Sequence, residues 1–301
     1  MPGTAYLGPA GTFTEAAART LPGDDLIAAA SVAAVLAMLR AGEVDRAVVP
    51  FENSVEGSVP STLDELAGGE PLQVVGEVLL PVSFSLLARP GTPLGAVASV
   101  ATHPHAEAQC RRWLAATLPG AAVVLTSSTA DAARQVLEGG YDAAIAAPVA
   151  AAHYRLESLV DDIADSAGAV TRFVVVCRPG GLPSLTGADR TTLVAYIADD
   201  HPGALLELLT EFAVRGVNLS RIESRPTGDG LGRYCFSIDL DGHLAEARVG
   251  EALSALRRVC ADVRFLGSYP RADGSPPVVR PVVADAAFED AARWLAHLRD
   301  R

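Results

Sequence analysis

Lysine is absent from this 301-residue chain, so all 24 of its Lys and Arg side chains are arginines. Without lysine the protein can form neither a Schiff base with a carbonyl substrate nor the lysine-bound form of pyridoxal phosphate. It also cannot contain the phosphate-binding loop that ends in Gly-Lys-Ser or Gly-Lys-Thr. Any permanently charged contact with a carboxylate must therefore come from a guanidinium, which offers a planar fork of N–H donors.

Cysteine and positive charge are also scarce. Cys110, Cys177, Cys235 and Cys260 show no CxxC spacing, so the sequence indicates neither a metal site nor a disulfide framework. The formal net charge of −12 argues against a nucleic-acid partner, because phosphate binding needs a concentrated positive surface. Apolar runs end well before the roughly 20 residues that a bilayer span needs, and no basic segment precedes an apolar one at the N-terminus. We therefore expect a soluble, cytoplasmic protein without membrane association.

Half of the residues are hydrophobic, and over residues 4–178 they alternate short apolar strands with amphipathic helices. The predicted strands lie at residues 4–7, 26–29, 46–49, 97–101, 122–125 and 143–146. The predicted helices include residues 32–40, 106–118 and 130–138. Such alternation is typical of α/β proteins with mostly parallel sheets. The pattern alone does not decide between one sheet and two.

A second unit follows residues 177–189, a Pro- and Gly-rich segment that we interpret as a linker. Its pattern predicts the order βαββαβ, the ferredoxin-like arrangement. The predicted strands are residues 191–197, 217–224, 234–240 and 262–269, and the predicted helices are residues 204–215 and 245–259. The tail is Pro-rich and then helical over residues 285–298.

Residues 48–66 (VVPFENSVEGSVPSTLDEL) combine an amide, several hydroxyls and a glycine between a predicted strand and a helix. We expect Pro50 to end the strand, and the Ser/Thr cluster before Leu63 to supply helix capping groups. Exposed N–H groups at a helix start can bind an anion without a cation. Capping alone would account for one hydroxyl, but not for Asn53 and the serines and threonine together.

This segment resembles the signature of prephenate dehydratases, and further motifs follow in that family's order. They are residues 5–14 (AYLGPAGTFT), 102–110 (THPHAEAQC), 171–173 (TRF), 203–205 (GAL) and 223–226 (ESRP). The last two are similar to phenylalanine-binding motifs of the family's regulatory ACT domain. The resemblance implies a bilobal, type II periplasmic-binding-protein-like α/β catalytic domain and a ferredoxin-like ACT domain. It also implies these bounds: catalytic domain 1–179, with lobes of about 1–79 plus 162–179 and 80–161, ACT domain 190–269 and tail 270–301.

The resemblance implies removal of a ring hydroxyl and carbon dioxide from prephenate, which leaves phenylpyruvate. Such a reaction needs a proton donor and electrostatic positioning rather than a cofactor or a metal. The family's catalytic positions correspond here to Thr171, Asn53, Thr102 and Gln109. Candidate substrate-binding residues are Arg172, Ser54, Gly57, Ser58 and Thr12.

Several of these residues have alternative structural interpretations. Without the resemblance, Thr171 would be read as a β-branched strand residue. Arg172 points to the opposite side of a regular strand, so it clamps a carboxylate only if the strand bends and is otherwise an ion-pair partner. His105 lies one helical turn from Gln109; we favour a capping role for it over a substrate contact, and rate a His103–His105 metal pair as a minor alternative. We interpret Glu52, Glu56 and Asp64 as solvated or helix N-terminal charges.

The ACT resemblance implies control by L-phenylalanine. Gly203 would open a helix N-terminus to the amino-acid carboxylate, and the turn at residues 223–226 would enclose the side chain. The predicted regulatory residues are Gly203, Ala204, Leu205, Asn218, Glu223, Ser224, Arg225 and Pro226. The resemblance also implies a homodimer or homotetramer. Two other functions remain open: arogenate dehydratase, and an amino-acid sensor that binds its ligand without transforming it.

Overall fold

The computed structural model describes residues 3–23, 25–166, 168–228, 230 and 233–300. The strands are β1 (Gly3–Leu7), β2 (Leu26–Ala29), β3 (Val44–Asn53), β4 (Gly57–Ser58), β5 (Gln73–Pro81), β6 (Ser85–Ala88), β7 (Ser99–Thr102), β8 (Ala122–Leu125), β9 (Ala143–Ala146), β10 (Glu157–Val160), β11 (Val170–Cys177), β12 (Asp189–Ile197), β13 (Leu219–Pro226), β14 (Tyr234–Asp241) and β15 (Cys260–Pro270). The α-helices are α1 (Phe13–Ala18), α2 (Val32–Ala41), α3 (Pro60–Ala67), α4 (Pro104–Thr117), α5 (Thr129–Leu137), α6 (Val149–Tyr154), α7 (Ala204–Ala213), α8 (Ala247–Val259) and α9 (Asp285–Arg299).

The chain divides into two compact units, residues 1–62 with 78–174, and residues 63–77 with 175–301. Strands β5 and β11 each run from one unit into the other. One sheet has the order β2-β1-β3-β11-β5, with β4 paired to β3, and a second sheet has the order β10-β6-β9-β7-β8. The sheets are parallel around β1 and β7, whereas β6 pairs antiparallel with both β9 and β10. The α/β class is therefore confirmed, and the region before the predicted linker contains two sheets rather than one.

Helix α2 shows how local sequence fixes these elements. Ser31 caps its start by accepting a hydrogen bond from the Ala34 N–H, and Gly42 ends it in the left-handed conformation with φ of 78°. Its buried residues follow a spacing of three and four along one face: Val32, Val35, Leu36 and Leu39. This face packs the helix against strands of the first sheet.

Strand β3 is longer than predicted, because Pro50 does not end it. The pairing of β3 with β1 ends at Tyr6 opposite Val48, so Pro50, which lacks an N–H, lies beyond that ladder. The capping prediction for residues 61–62 is also wrong for Thr62, since this buried hydroxyl donates to the Pro50 carbonyl at 2.6 Å. Helix α3 begins with Pro60, whose fixed φ suits the first helical position.

The second unit contains a four-stranded antiparallel sheet of order β13-β14-β12-β15. Helix α7 follows β12 and helix α8 follows β14, which confirms the predicted βαββαβ order. Its core includes Leu193, Phe212, Ile238 and Leu256. Among the described residues, no helix is long and apolar enough to cross a membrane.

Candidate active site

The end of β3 and the start of β11 bring Asn53 and Thr171 together. The Asn53 Nδ2 donates to Thr171 Oγ1 at 2.8 Å. The Asn53 Oδ1 accepts from the backbone N–H groups of Val55 and Glu56, at 2.8 and 3.0 Å. These two N–H donors require the amide oxygen on their side, so the Asn53 amide must present its nitrogen to Thr171.

This orientation determines what the Thr171 hydroxyl can do. Its oxygen already accepts a hydrogen bond, so its hydrogen can be donated to another acceptor. Thr171 is partly exposed, whereas Phe173, two residues further along β11, is buried in the core. The Thr171 hydroxyl thus has its hydrogen available for an acceptor, while its oxygen is polarised by the Asn53 amide.

Ser54, Gly57 and Ser58 shape the turn that holds Asn53. The Ser54 N–H donates to the Val170 carbonyl at 2.9 Å, and the Ser54 hydroxyl accepts from the Val170 N–H at 3.0 Å. Gly57 adopts φ of +87°, a conformation that favours glycine, and it pairs with Asn53 as β4 returns beside β3. Ser58 pairs with Glu52 in the same ladder. These residues fix the Asn53–Thr171 geometry through the backbone.

Arg172 lies on the other side of β11 from Thr171. It is only 5% exposed, donates to Glu52 Oε2 at 3.0 Å, and places its Cζ 4.7 Å from the centroid of the Phe51 ring. Cation–π stacking and ion pairing both stabilise a buried guanidinium. The structure therefore favours the ion-pair interpretation of Arg172 over a carboxylate clamp. It also corrects the interpretation of Glu52 as a solvated charge.

Helix α4 presents Gln109 and His105 to the carboxylate of Glu56. The Gln109 Nε2 donates to Glu56 Oε1 at 3.2 Å, and the His105 Nδ1 lies 3.4 Å from Glu56 Oε2. Glu56 is thus not a merely solvated charge. The prediction that His105 caps the helix is wrong, because the N-cap is His103, whose Nδ1 accepts from the His105 N–H at 3.3 Å. Burial, and next the neighbouring His105, lower the pKa of His103, which favours the neutral form needed for this acceptor.

Thr102 and Thr12 donate their hydroxyls to the backbone. Thr102 is completely buried, and its Oγ1 donates to the Ile145 carbonyl at 3.0 Å. Thr12 donates to the Leu7 carbonyl at 3.2 Å and caps α1 by accepting from the Glu15 N–H. These contacts give both threonines structural roles in this conformation, rather than the direct substrate contacts that the resemblance implies for them.

Sequence reasoning did not single out Glu15, although a pattern for it was present. Glu15 is 2% exposed, and its carboxylate accepts from the Gly11 N–H and from Arg19. The spacing from Thr12 to Glu15 matches the capping-box pattern, in which an acid three residues after the cap returns to the chain. Tyr154 supports the same turn by donating to the Ala10 carbonyl at 2.8 Å. Within the described part of the chain, no group of three His, Cys, Asp or Glu residues is placed to hold a metal.

A cavity of about 750 Å³ lies at the N-terminus of α7 in the second unit. Gly203 caps the helix with φ of +100°, and no atom lies within 4 Å of the position that a Cβ would occupy. The cavity is lined by Gly203, Ala204 and Leu205 together with aromatic residues from the strands. The structure thus brings three predicted regulatory residues to one open space beside a helix start.

The other predicted regulatory residues do not line this cavity. Arg225 donates to both oxygens of Asp64, at 3.0 and 2.7 Å, and this contact raises the pKa of Arg225. Asp64 is therefore an ion-pair partner of Arg225, and its side chain stays 52% exposed, so the pairing adds to its interpretation as a solvated charge. Asn218 donates to Asp241 Oδ2 at 2.7 Å. Glu223, Ser224 and Pro226 lie on β13, an edge strand of the sheet.

Comparisons with known proteins agree with the arrangement of both units. A family model described as prephenate dehydratase matches residues 4–180, and a model of the ACT domain matches residues 191–258. A prephenate dehydratase of Amycolatopsis methanolica is 54% identical over 295 residues, which cover 97% of this chain and 96% of that protein.

Two solved structures are also similar. A prephenate dehydratase from Arthrobacter aurescens in complex with L-Phe is 51% identical with a TM-score of 0.95, covering 99% of this chain and 100% of that one. GqqA, described as a novel type of quorum quenching acylase, is 32% identical with a TM-score of 0.80, covering 89% and 98%. With two family models in the expected order and full-length relatives near 50% identity, the chain belongs to the prephenate dehydratase family, as an enzyme of the lyase class with a C-terminal ACT domain.

Proposed function

We propose that the Asn53–Thr171 pair carries the decarboxylating dehydration of prephenate to phenylpyruvate in phenylalanine biosynthesis. The ring hydroxyl takes a proton and leaves as water, the ring carboxylate leaves as carbon dioxide, and its bonding electrons complete the aromatic ring. The observation that carries the proposal is the hydrogen bond of 2.8 Å in which Thr171 accepts from Asn53. It keeps the hydroxyl hydrogen available for the departing oxygen.

Threonine is a weak acid, so Thr171 acts as a positioned hydrogen-bond donor rather than as an ionising acid. Aromatisation makes the reaction strongly favourable. The enzyme therefore has to orient the substrate and stabilise the leaving hydroxyl. Asn53 polarises the Thr171 oxygen, and Gln109 offers a neutral amide to the substrate. Arg172 and Ser54 act indirectly, because their hydrogen bonds hold β3 and β11 together.

L-phenylalanine is the proposed feedback inhibitor, bound at the α7 N-terminus. Exposed N–H groups at a helix start attract a carboxylate, and Gly203 leaves room for it to approach. The Arthrobacter relative was solved in complex with L-Phe, which supports L-phenylalanine as a ligand of this chain. Because Glu223, Ser224 and Pro226 lie on an edge strand, we propose that they complete the site when two copies of the chain pair there.

That pairing would make the protein a homodimer or homotetramer. We also propose that the protein is located in the cytoplasm. The four cysteines are free in the structure, which suits a reducing compartment.

Turnover of prephenate and of arogenate by the purified protein tests the proposed activity. We expect phenylpyruvate from prephenate, with a kcat/KM for prephenate above that for arogenate. A higher value for arogenate would assign the chain to arogenate dehydration. Binding of either compound without turnover would favour the sensor function.

A further inference from the structure

The carboxylate of Glu56 contacts two side chains of α4, those of Gln109 and His105. Its Oε1 accepts from Gln109 Nε2 at 3.2 Å, and its Oε2 lies 3.4 Å from His105 Nδ1. Gln109 and His105 are four residues apart on α4, so they share one face of the helix. Each side chain contacts a different oxygen of the same carboxylate. A carboxylate-binding site has this arrangement.

The backbone around Glu56 belongs to the site already described. Its N–H donates to Asn53 Oδ1, the contact that orients the Asn53 amide toward Thr171. Only the Glu56 side chain, rather than the turn, would have to move to expose Gln109 and His105. The pair is open to water, since the His105 side chain is 64% exposed and the Glu56 side chain 30% exposed. Contacts between partly exposed side chains are weak and exchange readily.

We propose that His105 and Gln109 form a subsite for a carboxylate of the substrate, and that Glu56 fills this subsite in the empty enzyme and leaves it when substrate binds. The inference rests on the proposed function, because prephenate is a dianion with two carboxylates. A substrate carboxylate would replace the Glu56 carboxylate beside the same two side chains. Glu56 is then a built-in competitor, and it lowers the apparent affinity for substrate.

The alternative is that Glu56 simply clamps α4 to the β3–β4 turn. The two accounts predict different signs for variants of the two partners. If the contact is a clamp, removing either partner breaks the same interaction, so Glu56→Ala and His105→Ala should change KM in the same direction. If Glu56 competes with substrate, Glu56→Ala should lower KM and His105→Ala should raise it.

Steady-state kinetics of the full-length protein with prephenate provide the test. We expect KM to fall about three- to fivefold in Glu56→Ala and to rise by a similar factor in His105→Ala, the scale of one weak, exposed contact. The effects should fall on KM more than on kcat, because the backbone donor to Asn53 is kept. Glu138→Ala is the matched control, since it removes the same charge from an exposed site at the end of α5 and should leave KM unchanged.

Inhibition by phenylpyruvate identifies which carboxylate uses the subsite. Phenylpyruvate keeps the side-chain carboxylate and lacks the ring carboxylate. Tighter inhibition in Glu56→Ala would assign the subsite to the side-chain group, and unchanged inhibition together with a lower prephenate KM would assign it to the ring group. KM shifts of the same sign in Glu56→Ala and His105→Ala, or a higher KM in Glu56→Ala, overturn the inference. Absence of prephenate turnover in the wild type would instead refute the proposed function, and the inference with it.

Discussion

Thr171 differs from the other candidate threonines in the direction of its hydrogen bond. Thr12 and Thr102 donate to backbone carbonyls, so their hydrogens are used within the fold. Thr171 accepts from Asn53, so its hydrogen can serve a ligand. The same residue type therefore has two roles, and the partner atom decides between them.

Asn53 tests this arrangement with a near-isosteric change. In Asn53→Asp a carboxylate would accept the Thr171 hydrogen instead of donating to its oxygen, and it would also repel a dianionic substrate. We expect kcat/KM for prephenate to fall at least about a hundredfold, the scale of losing a positioned donor. The loss should exceed that in Asn53→Ala, which leaves the Thr171 hydrogen available. Equal kcat/KM values for the Asp variant and the wild type would contradict the assigned role of the amide.

Cys110 should be unreactive in the folded protein. It lies on the buried face of α4, and burial raises the pKa of its thiol to about 12. Alkylation requires the thiolate, so we expect iodoacetamide to label Cys110 at least about tenfold more slowly than the partly exposed Cys260 near pH 8. Mass spectrometry of digested protein measures both rates, and urea should make them similar. Equal rates without urea would contradict the predicted burial.

At the scale of elements, the sequence predicted most helices and strands but few of their ends. Short apolar runs located β2, β8 and β9 with the bounds that the structure shows. The prediction that Pro50 ends β3 was wrong because a proline disrupts a strand only where its missing N–H would have a partner. The sequence does not show which side of a strand lacks a partner. Strands β6 and β10 were missed because their antiparallel pairing joins residues about 70 positions apart.

The candidate site was also predicted only in part. Asn53, Thr171 and Gln109 were predicted from motifs. In the structure Asn53 ends β3, Thr171 lies at the start of β11 and Gln109 lies within α4, all in one unit. The partners of Glu52, Glu56 and Asp64 could not be predicted, because each ion pair or hydrogen bond depends on tertiary distances. The sequence alone does not distinguish a solvated charged side chain from one that pairs with a distant residue in the fold.

The cap of α4 should make stability depend on pH. Burial lowers the pKa of His103, so the unfolded chain binds a proton first as the pH falls. The contribution is present above the ordinary pKa of about 6.5 and is lost as the pH falls toward the lower folded-state value. His103→Asn keeps an acceptor for the cap without titrating. Between about pH 7 and pH 5 we expect the free energy of unfolding, measured with urea, to fall less in this variant than in the wild type. Equal slopes would contradict the role of His103.

At the scale of the whole molecule, regulation should depend on Gly203. Its φ of +100° is strained for any residue with a Cβ, and most strongly for valine. We expect Gly203→Val to raise the phenylalanine concentration for half inhibition at least about tenfold, because the α7 N-terminus can no longer accept the carboxylate. Gly139→Val is the matched control, since Gly139 has φ of +83° and open space but lies in the other unit. Inhibition of the Gly203 variant at wild-type concentrations would place phenylalanine in the catalytic site instead.

The sequence predicted the order of the two domains, because their strand and helix patterns differ and a Pro- and Gly-rich segment separates them. The bounds 1–179, 190–269 and 270–301 stay predictions, as do the lobe bounds. Compact units in the structure follow contacts rather than chain order, so residues 63–77 group with the second unit. Sequence patterns do not report such long-range grouping, because it depends on which surfaces pack together.

The most direct test of the central claim is the rate of phenylpyruvate formation from prephenate by the wild type and by Thr171→Val. Valine keeps the branched shape at the start of β11 and removes only the hydroxyl. We expect the wild type to turn over prephenate and the variant to lose at least about a hundredfold in kcat. Prephenate affinity, measured by calorimetry with the inactive variant, should change much less. A Thr171→Val enzyme with near-normal kcat would show that Thr171 is only a strand residue, and would contradict the account of this active site.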